Sequence, residues 1–417
     1  MAAAGPTLSR AMPEPPAPPA PGPGHASAPA PGAGATGGAA GHGPGNGGHG
    51  TPSEELLLEE GPILPMLDGA EAPPLALSPE MEVQRLVASD PTAHVELRLD
   101  AYQEIIDGEV GDTTLARARN LERECGLRQI YLKFEGGNPT GTQKDRIAFA
   151  QCADALRRGF ETITVATCGN FGVAVALASR LAGLRCVIHI PEAYTSHRVR
   201  EMSNYGADII RVPGDYEHSV DVSRAWAAEH EAYDANPGGL NSVLQFKKYG
   251  QIAFELYDEL RDAPFAVAVP VSNGTTLAGI HKGFQSLYRR GKTSRMPRMV
   301  AGSAFRKNPI IRAFRKNLPH CEDLEPGSIK ETAINEPLIN WRSIDGDEAL
   351  SAIRATGGWA EGASDKDMLQ CARMLREREG LHVLPASTAG LVALLDRQKR
   401  EPLPGDRYVV VLTGRRP

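Results

Sequence analysis

The residues with the clearest chemical potential lie in a loop between a short apolar segment and a helical one. The loop, residues 135–146, reads Glu-Gly-Gly-Asn-Pro-Thr-Gly-Thr-Gln-Lys-Asp-Arg, between a predicted strand over 130–134 and a predicted helix over 147–156. Its three glycines let the backbone approach a ligand closely. Lys144, near the end of this loop, is therefore placed to form an imine with a carbonyl cofactor. The alternative is a solvated lysine at a helix start, although a positive charge there opposes the helix dipole.

A second strand, turn and helix form a candidate anion site. The β-branched strand 162–166 leads into Thr167, Cys168, Gly169 and Asn170, and an Ala/Val-rich helix follows. Because the first N–H groups of a helix lack partners and carry the positive end of its dipole, an α-carboxylate of a substrate fits this turn. The alternative for Asn170 is simple capping of the helix, which is common for an asparagine at this position.

A third unit of the same kind offers a phosphate cradle. The apolar strand 265–271 is followed by a turn and then by a helix from Leu277. The turn combines hydroxyl groups, an amide and backbone N–H donors at a helix start, which suits a phosphate group. Turns of this composition are common in loops, so the pattern alone is weak evidence. The turn residues are Ser272, Asn273, Gly274, Thr275 and Thr276.

Taken together and in this order, the three units resemble the fold type II pyridoxal-phosphate enzymes, and within them threonine synthase and its relatives. The resemblance runs from about Gly111 to the C-terminus. It implies that Lys144 forms a Schiff base with pyridoxal 5'-phosphate and that Asn170 contacts the 3′ oxygen of the cofactor. It also implies that residues 272–276 bind the phosphate and that Thr413, in the final strand, faces the pyridine nitrogen. The substrate contacts it implies are Thr140, Thr142, Thr167, Cys168 and Gly169.

Three departures from the family pattern leave the substrate open. Cys168 stands where a serine is usual, Gln143 replaces an aromatic residue common before the lysine, and the phosphate loop has a single glycine. For Cys168 we weigh a nucleophile against a small space-filling side chain beside the substrate, and we favour the second.

The resemblance implies a lyase or synthase that acts on a hydroxy or O-phospho amino acid. Its leading form is the threonine synthase reaction, in which O-phosphohomoserine and water give threonine and phosphate. Since Thr413 is neutral, we expect elimination of a leaving group rather than transamination or racemisation. The alternatives are a serine/threonine dehydratase, a β-replacement amino-acid synthase of a specialised pathway, and a non-catalytic member of the family.

A phosphorylated substrate requires a second anion site beyond that of the cofactor. The sequence does not determine which cationic residue would bind the substrate phosphate. Our first choice is Arg306 and Lys307, which follow an apolar strand. The cationic candidates are Arg146, Arg198, Lys282, Arg306, Lys307, Arg415 and Arg416.

The length of 417 residues and the alternation of strand and helix patterns indicate an α/β protein with more than one unit. We expect two open doubly wound sheet subdomains, as in the tryptophan synthase β-like architecture. Residues 1–52, rich in Ala, Pro and Gly, are expected to form a disordered tail. Residues 53–160 are expected to wrap and begin the large subdomain, 161–250 to form a small mobile subdomain, and 251–417 to complete the large one.

Composition excludes several other classes of protein. The net charge of −6 with no basic block argues against nucleic-acid binding, and no apolar run reaches membrane-spanning length. The six cysteines form no Cys-x-x-Cys pair, which indicates reduced thiols and a cytoplasmic location. We expect no metal site, a small-molecule amino acid as the ligand, and a homodimer as the assembly.

Overall fold

The computed structural model describes residues 77–194 and 196–416, so the expected tail over 1–52 lies outside the described residues. Within the described part, strands and helices alternate. The strands are β1 (Leu115–Arg117), β2 (Ile130–Phe134), β3 (Thr162–Ala166), β4 (Arg185–Pro191), β5 (Asp208–Val212), β6 (Tyr233–Asp234), β7 (Ala266–Pro270), β8 (Arg298–Ala304), β9 (Trp359–Ala363) and β10 (Tyr408–Leu412). The helices are α1 (Pro79–Ser89), α2 (Val95–Glu109), α3 (Arg119–Cys125), α4 (Lys144–Arg157), α5 (Asn170–Ala182), α6 (His197–Asn204), α7 (Tyr216–Glu229), α8 (Ser242–Leu260), α9 (Thr275–Arg289), α10 (Pro309–Arg315), α11 (Gly346–Ala355), α12 (Asp365–Glu379) and α13 (Ala389–Arg400).

The strands form two open sheets. The larger sheet has the order β1-β2-β10-β7-β8-β9, and the smaller has the order β5-β4-β3-β6. All neighbours pair in parallel except β1, which runs antiparallel to β2. The predicted α/β class with two open sheets is confirmed.

Helices cover both faces of the larger sheet, so its strands are apolar on both sides. In β10, Val409 and Val411 belong to one hydrophobic cluster, whereas Val410 and Leu412 belong to the other. The second cluster is closed by α13, which packs so tightly on β8 that a side chain at Gly302 would collide with the backbone of Ala389. Such packing fixes the sheet as a rigid base for the loops at its edge.

The strand order brings the predicted site loops together. β10 lies between β2 and β7, so the loop before α4, the end of β10 and the loop before α9 are neighbours along one sheet edge. This edge holds the carboxyl ends of parallel strands, where ligands bind in open α/β sheets.

Candidate active site

Lys144 is the first residue of α4, and it lines a cleft of about 830 Å³. Its Nζ lies 5.6 Å from the centre of the Phe171 ring. Burial lowers the pKa of Lys144 to about 8, although the nearby carboxylate of Asp345 acts in the opposite direction. The amine therefore has a larger neutral fraction near pH 7 than a solvated lysine, and a nucleophile or base needs that neutral form.

The loop before Lys144 is held by the helix that it leads into. The buried carboxylate of Asp145 accepts hydrogen bonds from the backbone N–H of Thr140 at 3.0 Å and from its hydroxyl at 2.8 Å. The hydroxyl of Thr142 accepts from the backbone N–H of Lys144 at 3.2 Å. Neither Thr140 nor Thr142 lines the cleft. Their contact with substrate stays a prediction, and the geometry uses both hydroxyls to shape the loop.

A buried ion network anchors the same helix. The guanidinium of Arg146 donates to Glu135 at 2.6 Å and to Glu255 at 2.6 Å, and Lys133 lies 2.5 Å from the second carboxylate. The side chains of Arg146 and Glu135 are 1% and 0% exposed, so neither charge is screened by water. The network ties α4 to β2 and α8. Arg146 is thereby committed to the scaffold, although the sequence offered it as a phosphate ligand.

The loop before α9 has the form of a phosphate cradle. Gly274 has a φ of 94°, a conformation that side-chain-bearing residues rarely adopt, and α9 begins at the next residue. The backbone N–H groups of Gly274, Thr275 and Thr276 donate to no residue that the structure describes. Free donors at a helix N-terminus, aimed into a cleft, fit the phosphate of a cofactor.

A segment that the sequence did not bring into the site supports this cradle. Asn340 donates to the side chain of Asn273 at 2.9 Å, and Ser343 donates to the carbonyl of Ser272 at 3.1 Å. The hydroxyl of Thr275 donates to the carboxylate of Asp345 at 2.5 Å. Burial raises the pKa of Asp345, which places a carboxyl group of weakened acidity directly behind the cradle.

The second predicted turn lies across the same cleft, which is lined by Thr167, Cys168, Gly169 and Asn170. Asn170 is the first residue of α5, it is half-buried, and its side chain bonds to no described residue, so its amide is available to a ligand. Burial, together with nearby carboxylates, raises the pKa of Cys168 far above that of a free thiol. A thiol held in its neutral form is a poor nucleophile, which favours the space-filling interpretation.

The end of β10 closes the site between the two loops. The backbone N–H of Gln143 donates to the carbonyl of Thr413 at 3.0 Å, so the lysine loop is bonded to this strand. The hydroxyl of Thr413 donates to Ser387 at 3.2 Å, and Ser387 donates to the carbonyl of Gly414 at 3.2 Å. Thr413 and Ser387 both line the cleft, and both are neutral.

The charge of the cleft differs from that expected for a phosphorylated ligand. Among the described residues, Lys144 and Arg198 are the cations that line it, and Arg198 bonds to Glu201 at 2.8 Å. The two first choices for a substrate phosphate ligand, Arg306 and Lys307, lie outside the lining. The lining contains four carboxylates: Asp215, Glu217, Glu331 and Glu336.

Besides Asn340 and Ser343, several contributors to the site were missed from the sequence. Ser387 lies in the turn Pro385–Thr388 before α13, and turns of this composition are too common to indicate a site. Phe171 directly follows Asn170, and its side chain fits the apolar pattern of the helix equally well. Asp345 and Glu336 lie in an irregular stretch with no periodic pattern, so no local signal could have found them.

Comparison with known proteins agrees with this geometry. A family model described as "Pyridoxal-phosphate dependent enzyme" matches residues 106–414. The chain belongs to this family, and its cofactor is pyridoxal 5'-phosphate. The family resemblance inferred from the three loops is confirmed.

Individual proteins and solved structures also resemble this chain. The threonine synthase of Methanocaldococcus jannaschii is 32% identical over 307 residues, which cover 73% of this chain and 74% of that protein. A crystal structure of serine racemase from Dictyostelium discoideum matches with a TM-score of 0.62 at 17% identity, covering 76% of this chain and 97% of that one. The structure of maize serine racemase matches with a TM-score of 0.64 at 19% identity, covering 76% of this chain and 92% of that one. These structural likenesses confirm the type II fold.

Two further features of the described residues concern membrane spans and metal sites. None of the described helices combines the length and apolar character that a bilayer crossing requires. In the same part of the chain, no three or more His, Cys, Asp or Glu side chains converge as a metal site would require.

Proposed function

We propose that the protein is a lyase or synthase that removes a leaving group from the β or γ carbon of an amino acid. The observation that carries this proposal is the position of Lys144, in one cleft with a phosphate cradle, a carboxylate turn and a neutral hydroxyl at Thr413. Pyridoxal 5'-phosphate, when bound, withdraws electrons from the Cα of the substrate and makes the Cα proton acidic.

The residues of the chain would bind the cofactor, transfer the proton and bind the α-carboxylate of the substrate. Lys144 would hold the cofactor, residues 272–276 would bind its phosphate, and Asn170 would contact its ring. Once the amine of the substrate has displaced it from the cofactor, the Nζ of Lys144, whose pKa is lowered by burial, would take the proton from Cα. The N-terminus of α5, with Thr167 to Gly169, binds the α-carboxylate. Thr413 supplies a hydroxyl and no carboxylate, which favours elimination over transamination or racemisation.

Two substrates are candidates. The first is O-phosphohomoserine, converted with water to threonine and phosphate; the sequence resemblance and the name of the relatives at about 30% identity support it. The second is an unphosphorylated hydroxy amino acid, as in a serine/threonine dehydratase or a replacement synthase. The acidic lining of the cleft favours the second, because a phosphate dianion would meet four carboxyl groups and an arginine that is already paired.

Product analysis separates these candidates. The holoenzyme is incubated in turn with O-phosphohomoserine, threonine, serine and O-phosphoserine, and phosphate, threonine and 2-oxo acids are measured. Phosphate together with threonine supports the synthase, phosphate without threonine indicates elimination alone, and pyruvate or 2-oxobutanoate from serine or threonine supports the dehydratase. The absence of product from all four excludes both candidate substrates, and elimination from an amino acid with another side chain is tested separately. A biosynthetic enzyme of this kind fits a cytoplasmic location, which, like a homodimer, stays a prediction.

A further inference from the structure

One wall of the cleft combines acidic and aromatic side chains in mutual contact. Tyr216 and Glu217 open α7, and the indole N–H of Trp341 donates to Asp215, the residue before that helix, at 3.2 Å. On the same wall Tyr194 and Glu336 both line the cleft, and the Tyr194 hydroxyl lowers the pKa of the Glu336 carboxyl group. The wall is thus one surface assembled from three separate segments of the chain.

The carboxylates at α7 have structural roles that account for their presence. Asp215 accepts from the backbone N–H of His218 at 2.9 Å and so caps the helix. Glu217 is buried, and the backbone N–H groups of Trp341 and Arg342 lower the pKa of its carboxyl group. These contacts join α7 to the segment that ends in Trp341.

Glu336 has no comparable structural role. It opens a short 3-10 turn, Glu336–Leu338, and the preceding Asn335 is buried and donates to Asp365 at 3.0 Å. This anchor directs Glu336 into the cleft. Its Oε1 lies 3.9 Å from the position that a Cβ atom on Gly169 would occupy. A carboxylate is therefore mounted firmly beside the turn predicted to bind the substrate.

The titratable groups around Glu336 are mainly carboxyl groups. Burial, with Glu331 nearby, raises the pKa of Glu336 to about 7, while the Tyr194 hydroxyl and the Arg198 guanidinium act in the opposite direction. Arg198 is shared with Glu201 on its own helix, at 2.8 Å. Arg198, the guanidinium that acts on Glu336, is thus already paired, so a phosphate or carboxylate on the side chain of a substrate would gain little from it.

Aromatic rings on the same wall favour a cation independently of these charges. Tyr194, Tyr216 and Trp341 all line the cleft, and ring faces attract ammonium and guanidinium groups. The ring of Trp341 already stacks with a guanidinium, because Arg342 Cζ lies 4.6 Å from its centre. Carboxylates among aromatic rings form the usual recognition surface for an organic cation.

We propose that the cleft selects an amino acid whose side chain ends in an ammonium or guanidinium group, and that Glu336 is the carboxylate that receives it. The inference rests on the proposed function, since it names the substrate class of the same site. The leaving group would sit at Cβ or Cγ of that amino acid, between the reacting Cα and the distal cation. The cleft volume of about 830 Å³ is at the upper end of the range for small-molecule sites and has room for the longer side chain beside the cofactor.

Matched pairs of amino acids test this specificity by binding. The holoenzyme is titrated with L-arginine and its neutral counterpart L-citrulline, with L-lysine and L-norleucine, and with O-phosphohomoserine, and the absorbance change of the bound cofactor gives each Kd. We expect each cation to bind at least tenfold more tightly than its neutral counterpart, a difference of about 1.4 kcal/mol. Glu336→Gln should abolish the difference. Glu325→Gln, which changes an exposed carboxylate outside the cleft lining, should preserve it.

The outcomes separate this inference from the proposed function. Equal affinity for arginine and citrulline, tightest binding of O-phosphohomoserine, or an unchanged preference in Glu336→Gln would overturn the substrate class and leave the proposed chemistry standing. The absence of an absorbance change with every amino acid would overturn the proposed function and the inference together.

Discussion

Replacing Gly274 by alanine tests whether the phosphate cradle is built as described. Gly274 has a φ of 94°, and a Cβ there would lie 2.7 Å from the carbonyl oxygen of Asp345 and 2.9 Å from the Cβ of Ala349. The left-handed backbone costs a non-glycine residue about 1–2 kcal/mol. Displacing packed neighbours costs about 1–3 kcal/mol more. We therefore expect the free energy of unfolding of Gly274→Ala to fall by about 2–5 kcal/mol, with weaker cofactor binding.

The assay compares this variant with Gly137→Ala in the lysine loop. A Cβ at Gly137 would meet nothing within 4 Å, and its backbone has no positive φ. Urea unfolding should show a large loss for the first variant and a change of about 0.5 kcal/mol or less for the second. Absorbance titration with pyridoxal 5'-phosphate should rank the two variants in the same order. Equal behaviour of the two variants would refute the reasoning that Gly274 shapes the cradle.

Three further predictions concern the scaffold, the cofactor and the pH dependence. Arg146→Met should lower the free energy of unfolding, measured in urea, by about 3–5 kcal/mol, because it leaves Glu135 and Glu255 without their buried partner; a loss below about 1 kcal/mol would contradict this. Asn170→Ala should weaken cofactor binding by about 1–3 kcal/mol in an absorbance titration and leave the thermal stability of the apoprotein unchanged, since its side chain bonds to no described residue. Because the raised pKa of Glu336 is about 7, this carboxyl group becomes charged as the pH rises through 7. The preference for L-arginine over L-citrulline should therefore be larger at pH 8 than at pH 6, because the titration of Lys144 affects both ligands equally. A preference that is constant with pH, or whose pH dependence persists in Glu336→Gln, would contradict the assignment.

The local elements could be predicted because their signals are local. The strands over 130–134 and 162–166 have the predicted bounds, since β-branched and apolar runs end there at turn residues. Helix starts were less accurate. α4 begins at Lys144 rather than 147, because the carboxylate of Asp145 folds the loop into the first helical turn. α9 begins at Thr275 rather than 277, directly after Gly274.

The arrangement between distant segments could not be predicted from these signals. Only the insertion of β10 between β2 and β7 brings Thr413 to the lysine loop, and no local pattern encodes that pairing. Tertiary packing alone places the irregular stretch that contains Glu336 and the residues that support the phosphate cradle. Those supporting residues lie between Asn340 and Asp345. The motif loops were therefore visible in the sequence, whereas the charge of the cleft required the structure.

The covalent attachment of pyridoxal 5'-phosphate to Lys144 is the point on which the proposed chemistry depends. The direct measurement is borohydride reduction of the holoenzyme, followed by proteolysis and mass spectrometry to locate the phosphopyridoxyl group. We predict the group on Lys144, and its loss in a folded Lys144→Ala variant whose circular dichroism matches the wild type. A phosphopyridoxyl group on another lysine, or none on the wild-type protein, would contradict this assignment.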